Sequence, residues 1–247
     1  MLTRSDVPDP RESEAVAETR TRPEPVAPWF HTVFLLCVLV LWALYGVLHP
    51  RVLSAMMPRS VSYVSHVVLE CLLAGTTIAG LYHRRRFLTG VLGNVTLRGL
   101  FLDIVQGFLI YLGGTVTVLA IWLVLKPLHP TYQTEAIRAM GPHTWAEVAL
   151  FAILSLAAGT CEEFVFRGYL LRQFQRWWGS TVAAVIVSSV LFGCLHLYEG
   201  WGAVVGICGL GAVYAIVAVR RGNLRSAMAA HFLQDAITGL ILFLHHS

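Results

Sequence analysis

From Trp29 onward, apolar residues run in blocks too long and too uniform to be one face of a soluble helix. Seven blocks, near 29–48, 61–82, 100–125, 145–166, 181–197, 201–219 and 224–244, approach the ~20 residues an α-helix needs to cross a bilayer. Charged or turn-forming residues separate them: His49-Pro50-Arg51, Arg84-Arg85-Arg86, Lys126-Pro127, Pro142, Gly179-Ser180, Glu199-Gly200 and Arg221-Gly222-Asn223. No proline follows Pro142, so the last four segments are uninterrupted by it. The pattern predicts an all-α, polytopic membrane bundle of about seven transmembrane helices, without a 20–50 residue repeat.

Composition agrees. Of 247 residues, 56% are hydrophobic and 13% charged, with a mean hydropathy of +0.67; about a quarter of a soluble protein is charged. Ten of the charges fall in residues 1–28, which also hold five prolines. That stretch is expected to be a disordered cytoplasmic tail, since an acidic, proline-rich segment is no signal peptide. Residues 29–247 form the transmembrane domain. Placing the tail and the turns after the second, fourth and sixth segments on one side gathers 14 Lys and Arg there against 4 opposite. This predicts a cytoplasmic N-terminus and, with seven spans, an outside C-terminus.

The net charge of +4 and the lack of a dense basic face argue against nucleic-acid binding. Arginine outnumbers lysine 17 to 1, which points to a GC-rich bacterial source and hence a bacterial inner membrane. The five cysteines lie in apolar stretches without a C-x-x-C pair and are expected to be buried small hydrophobes.

An ionisable side chain deep in a membrane helix costs roughly 2.5–3.5 kcal/mol on insertion scales and is a functional candidate by default. The second half of the chain holds six: Glu162, Glu163, Arg167, His196, His231 and Asp235. Glu163 and Arg167 share a helix face at i, i+4, as do His231 and Asp235, and Phe192 with His196. Glu163 lies 16 residues before Gly179 and His196 16 after Ser180, so an antiparallel hairpin brings them to similar depth. His231 follows its turn by only about eight residues. It reaches that depth if the fourth helix projects from the membrane, as polar Arg172-Gln173-Phe174-Gln175-Arg176 suits. Elsewhere, His66 and Glu70 share a face of the second segment, either lining a cavity or forming a simple polar pair. Asp103 lies near a helix start, where an acid suits the dipole.

The runs Cys161-Glu162-Glu163-Phe164-Val165-Phe166-Arg167, Phe192-Gly193-Cys194-Leu195-His196 and His231-Phe232-Leu233-Gln234-Asp235 resemble E-E-x-x-x-R, F-x-x-x-H and H-x-x-x-(N/D). These are the ordered motifs of the CPBP (CAAX protease and bacteriocin-processing, or Abi) intramembrane proteases, and the resemblance spans about residues 145–240. It implies a glutamic endopeptidase acting near the membrane-anchored tail of a protein or peptide, with a C-terminal sorting signal as the specific expectation. It implies Glu162 as the base, His196 as a holder of the catalytic water, and His231 with Asp235 as the oxyanion pocket. Glu163 is expected to pair with Arg167. Family members that process CAAX tails carry Asn where Asp235 stands. An ionised Asp only accepts hydrogen bonds, so Asp235 is either protonated or orients His231.

No cofactor is expected. A divalent metal on these acids and imidazoles is the chemical alternative, opposed by the charge of Arg167. H-E-x-x-H, G-x-G-D and G-x-S settings are absent. From other classes, a transporter or proton relay, or a non-catalytic scaffold or immunity protein, uses the same buried charges differently.

Overall fold

The computed structural model describes residues 24–48, 57–81, 90–93, 95–132 and 134–246. Each predicted segment is a helix: α1 (Trp29–Leu48), α2 (Arg59–Leu81), α3 (Leu97–Leu125), α4 (Trp145–Trp178), α5 (Thr181–Cys194), α6 (Trp201–Arg221) and α7 (Arg225–His246). Among the described residues there is no strand. Six of these helices are long and apolar enough to cross a membrane, and the shorter, apolar α5 has 14 residues.

The largest departure from the sequence pattern is α4. Its 34 residues rise about 51 Å at 1.5 Å each, well past the ~30 Å hydrocarbon layer. It begins at Thr144, whose hydroxyl accepts from Glu147 N–H, while the Glu147 carboxylate accepts from His143 N–H. The first serves an N–H that the first turn leaves without a helical partner, and the second holds the residue before the cap. It ends at Gly179, in the left-handed region at φ 67°, whose N–H donates to the Gln175 carbonyl. A side chain there would be strained, so glycine sets the hairpin turn. Ser180 then caps α5 by accepting from Ala183 N–H. At its far end α5 stops at Cys194 and the chain tightens into a 3-10 turn, Leu197–Glu199.

α7 lies between α3 and α4; α6 packs on α3 and α5, and α2 packs on α4. Glycines permit the closest approaches. A Cβ on Gly159 of α4 would sit 2.8 Å from the Phe232 nitrogen, and one on Gly107 of α3 would meet the Ala229 side chain at 2.6 Å. Small residues at crossings are how membrane helices gain dispersion contact without a hydrophobic drive. The core gathers Leu35, Leu81, Phe164, Phe166, Tyr169 and Phe192. Large apolar side chains such as Leu97 and Val124 project outward, where acyl chains solvate them.

Several polar details differ from expectation. Of the tail predicted over 1–28, residues 1–23 lie outside the described residues. Residues 24–28 are held against α4: the Gln173 amide oxygen accepts from Val26 N–H (2.7 Å) and Ala27 N–H (3.1 Å), and its NH2 donates to the Ala27 carbonyl. Asp103 is not a first-turn acid, because α3 starts at Leu97. It is buried one turn further in and accepts from Arg221, Arg225 and Ser226, tying α3 to the α6–α7 turn. Of the cysteines only Cys161 is buried; Cys208 is half-buried and Cys37, Cys71 and Cys194 are exposed, all as free thiols. A bundle in lipid has no need to hide a small apolar thiol inside.

Candidate active site

Glu162 and Glu163 close the regular part of α4, Trp145–Glu163. The next seven residues, Phe164–Leu170, form a π-helical turn whose wider spacing shows in the Leu171 N–H donating to the Phe166 carbonyl. All seven are buried, and Arg167 is at the middle. Such insertions concentrate at functional sites, because they re-aim side chains within an otherwise regular helix. Adjacent residues on a helix point about 100° apart, so the two glutamates serve different neighbours.

Glu163 points inward and is fully buried. Its Oε1 accepts from Arg167 Nη1 at 2.7 Å and lies 3.1 Å from His231 Nδ1. Arg167 Nη2 donates to the Gly211 carbonyl of α6 at 3.0 Å. Its guanidinium lies over the Phe192 ring, 4.3 Å from the centroid. One arginine thus ties α4 to α5 and α6, with its charge met by a carboxylate, a carbonyl and a π face. Phe192, expected to pack, is the platform for the centre: its ring also meets His231 edge-on (5.8 Å, 89°) and His196 (5.3 Å).

With Nδ1 on Glu163, the other nitrogen of His231 faces two more acids. Glu162 Oε2 lies 3.8 Å from Nε2 and Asp235 Oδ2 lies 3.6 Å from it. Both separations exceed a direct hydrogen bond and suit a bridging group. Glu163, rather than Asp235, makes the close contact to the His231 ring. His196 stands just past the end of α5 and within electrostatic range of Asp235. Its Nδ1 lies 3.1 Å from the Phe192 carbonyl, which only accepts, so Nδ1 carries the hydrogen and a neutral ring offers Nε2 as an acceptor. Tyr198 stacks on the His196 ring at 6.1 Å, and burial beside the Glu199 carboxylate pushes its hydroxyl well above the ordinary phenol range. It stays a neutral donor.

Glu162, Glu163, Arg167, His231 and Asp235 are therefore in one cluster, with His196 at its margin. Depth follows the hairpin: Glu163 is 15 residues, about 22 Å, from the Trp178 end of α4, and His196, just past α5, is 15 residues from its Thr181 start. His231 is six residues, about 9 Å, into α7. The difference is taken up by the length of α4.

Of the two readings open for His66 and Glu70, the simple polar pair is not formed. Glu70 does not pair with His66, whose Nδ1 is held by the Ser62 carbonyl at 2.8 Å. Instead, Glu70 faces Glu162 within hydrogen-bond range. Tyr214 of α6 was also not singled out; its ring lies 5.7 Å from that of His231. The oxygens Glu70 Oε2, Glu162 Oε2, Glu163 Oε2 and Tyr214 Oη are buried without a hydrogen-bonding protein partner. Buried polar atoms normally have one, and this concentration around one imidazole marks a place built to receive polar atoms from outside the chain. Among the described residues, no group of three or more His, Cys, Asp or Glu has the placement of a metal-ligand set.

Residues 144–237 match the family model described as type II CAAX prenyl endopeptidase Rce1-like. The matched stretch starts at the Thr144 cap of α4 and contains all three motifs, so the family resemblance read from them holds there. No curated protein matches the chain, and no solved structure does. The match covers less than half of the chain; with six helices long and apolar enough to cross a membrane, the chain is an integral membrane protein whose residues 144–237 are similar to that endopeptidase family.

Proposed function

We propose that this Rce1-like bundle is an intramembrane endopeptidase that hydrolyses a peptide bond near the membrane-anchored tail of a substrate protein, using water activated by Glu162. The observation that carries the reading is the convergence of Glu162, Glu163 and Asp235 on His231, at 3.8, 3.1 and 3.6 Å, inside an apolar bundle.

In the proposed reaction, water lies between Glu162 and His196 and donates one hydrogen to the His196 Nε2 lone pair. Glu162 removes the other as the oxygen attacks the carbonyl carbon. The tetrahedral oxyanion is met from the α7 side by His231 Nε2–H when the ring carries both protons, with Glu163 as its counter-ion, and by Asp235 in its protonated form. Glu162 then returns its proton to the leaving amine as the C–N bond breaks, and the carboxyl is regenerated as a base. Arg167 touches no substrate in this scheme; it holds Glu163, and through it the ring of His231. The tail 1–28 is proposed as a cytoplasmic extension of the 29–247 transmembrane domain, and a bacterial inner membrane as its location. A C-terminal sorting signal is the substrate tail this setting favours, and no metal takes part.

The test is a comparison of membrane-protein termini between cells carrying the natural chain and cells carrying Glu162→Ala or His196→Ala. A defined set of cleaved termini is expected to disappear in both variants, with membrane insertion unchanged. Normal processing in both would reject the assignment. Cleavage by the purified protein is expected to persist in EDTA; loss that zinc restores would move the chemistry to a metal.

A further inference from the structure

Glu70 is the acid facing the cluster that the proposed reaction leaves unused. It sits on α2, outside the matched stretch 144–237, in a helix whose other charge, Arg59, lies at its first position. The register of α2 on α4 is fixed at two consecutive positions: Glu70 faces the Glu162 carboxyl, and Cys71 faces Cys161. Glu70 Oε2 and Glu162 Oε2 are both buried and both lack a protein donor. Ionised carboxylates only accept, so two of them in hydrogen-bond range satisfy each other only if one hydrogen lies between them.

We propose that Glu70 is a positioning residue for hydrolysis: its protonated carboxyl donates to Glu162, fixing the base and leaving one negative charge on the pair. This rests on Glu162 being the base. The groups facing the pair are Cys71 on α2, Cys161 on α4, and His231 and Asp235 on α7. The neighbouring imidazole offsets the charge that the pair retains. A donor fixed on one side of Glu162 directs its remaining lone pairs toward the water and holds the base in one rotamer, which is the pre-organisation that proton abstraction needs.

The experiment replaces Glu70 by Leu and by Gln, with Glu162→Ala beside them, and reads the cut-to-uncut ratio of the affected termini in cells. Glu70→Leu is expected to lower processing at least tenfold. Glu70→Gln, whose amide donates as the protonated acid does, is expected to stay within about threefold of the natural chain. Wild-type processing in both Glu70 variants, with Glu162→Ala inactive, overturns the role of Glu70 alone. Processing in Glu162→Ala overturns the parent reading instead. Glu70→Gln as inactive as Glu70→Leu also overturns the proposal, because a donor at that place then does not suffice. A second readout needs no substrate and covers a misfolded Glu70→Leu. The infrared difference between the natural chain and Glu70→Gln, both in lipid, is expected to show a protonated-carboxyl C=O band that alkaline titration bleaches. A band unchanged in Glu70→Gln refutes the shared hydrogen.

Discussion

Arg167 is fully buried, and its surroundings use the geometry of guanidinium rather than charge alone. One nitrogen meets Glu163, another meets the Gly211 carbonyl, and the flat face rests on Phe192. A lysine ammonium can reach one of these at a time. Arg167→Lys is therefore expected to lower processing at least tenfold while the protein still inserts. Arg167→Leu strands a buried carboxylate, a loss of about 3–5 kcal/mol. Adding Glu163→Gln to Arg167→Leu should recover most of that stability without recovering activity. Thermal unfolding in detergent, run as a double-mutant cycle, checks both; additive losses would show that the two residues do not act as a pair. At this scale the sequence was informative because each of the six acids, bases and imidazoles stands out against apolar neighbours. Glu70 stood out equally, yet its i, i+4 spacing to His66 supplied a nearer explanation. Spacing reports a shared face, not which neighbouring helix that face meets.

Helix positions follow from apolar run length, and all seven were legible on that basis. Crossings were not, because lipid-facing and bundle-facing residues are alike apolar and the periodicity that betrays a soluble core is absent. The π-helical turn at 164–170 leaves no composition signal either; its seven residues are ordinary helix formers and one glycine. What sets the α4–α7 distance is Gly159, where an added Cβ would meet the Phe232 nitrogen at 2.8 Å and the Met228 carbonyl at 3.2 Å. Backbone atoms cannot rotate away, so a larger residue must push α7 outward and with it His231. Gly159→Val is expected to destabilise the bundle by about 1–3 kcal/mol and to lower processing at least tenfold. Gly113 of α3 faces open space, and Gly113→Val is the control expected to change neither by more than about twofold in processing. Equal tolerance at the two glycines would show that α7 is not seated by close packing on α4.

For the molecule as a whole, the length of α4 links depth to orientation. Its end at Trp178, with Arg172 and Arg176, lies on the side where basic residues predominate, as does the α6–α7 turn with Arg220 and Arg221. In the orientation proposed from the positive-inside bias, that side is cytoplasmic. That orientation would carry the α4–α5 hairpin beyond the bilayer into the cytoplasm, and the imidazole of His231 lies only about 9 Å into α7 from the same side. A substrate bond reaching this centre would lie nearer the cytoplasmic face than the midplane, which suits a tail anchored in that leaflet. Single cysteines introduced into a cysteine-free chain test the arrangement. Positions Trp178 and Arg220, exposed beside the same two turns, are expected to react with a membrane-impermeant maleimide only in inverted vesicles. Positions Thr131 and Thr144 are expected to react only in intact cells stripped of their outer envelope. Labelling in the opposite sense would turn the bundle over and place the proposed hydrolytic centre toward the other leaflet, so a substrate tail would have to approach from outside.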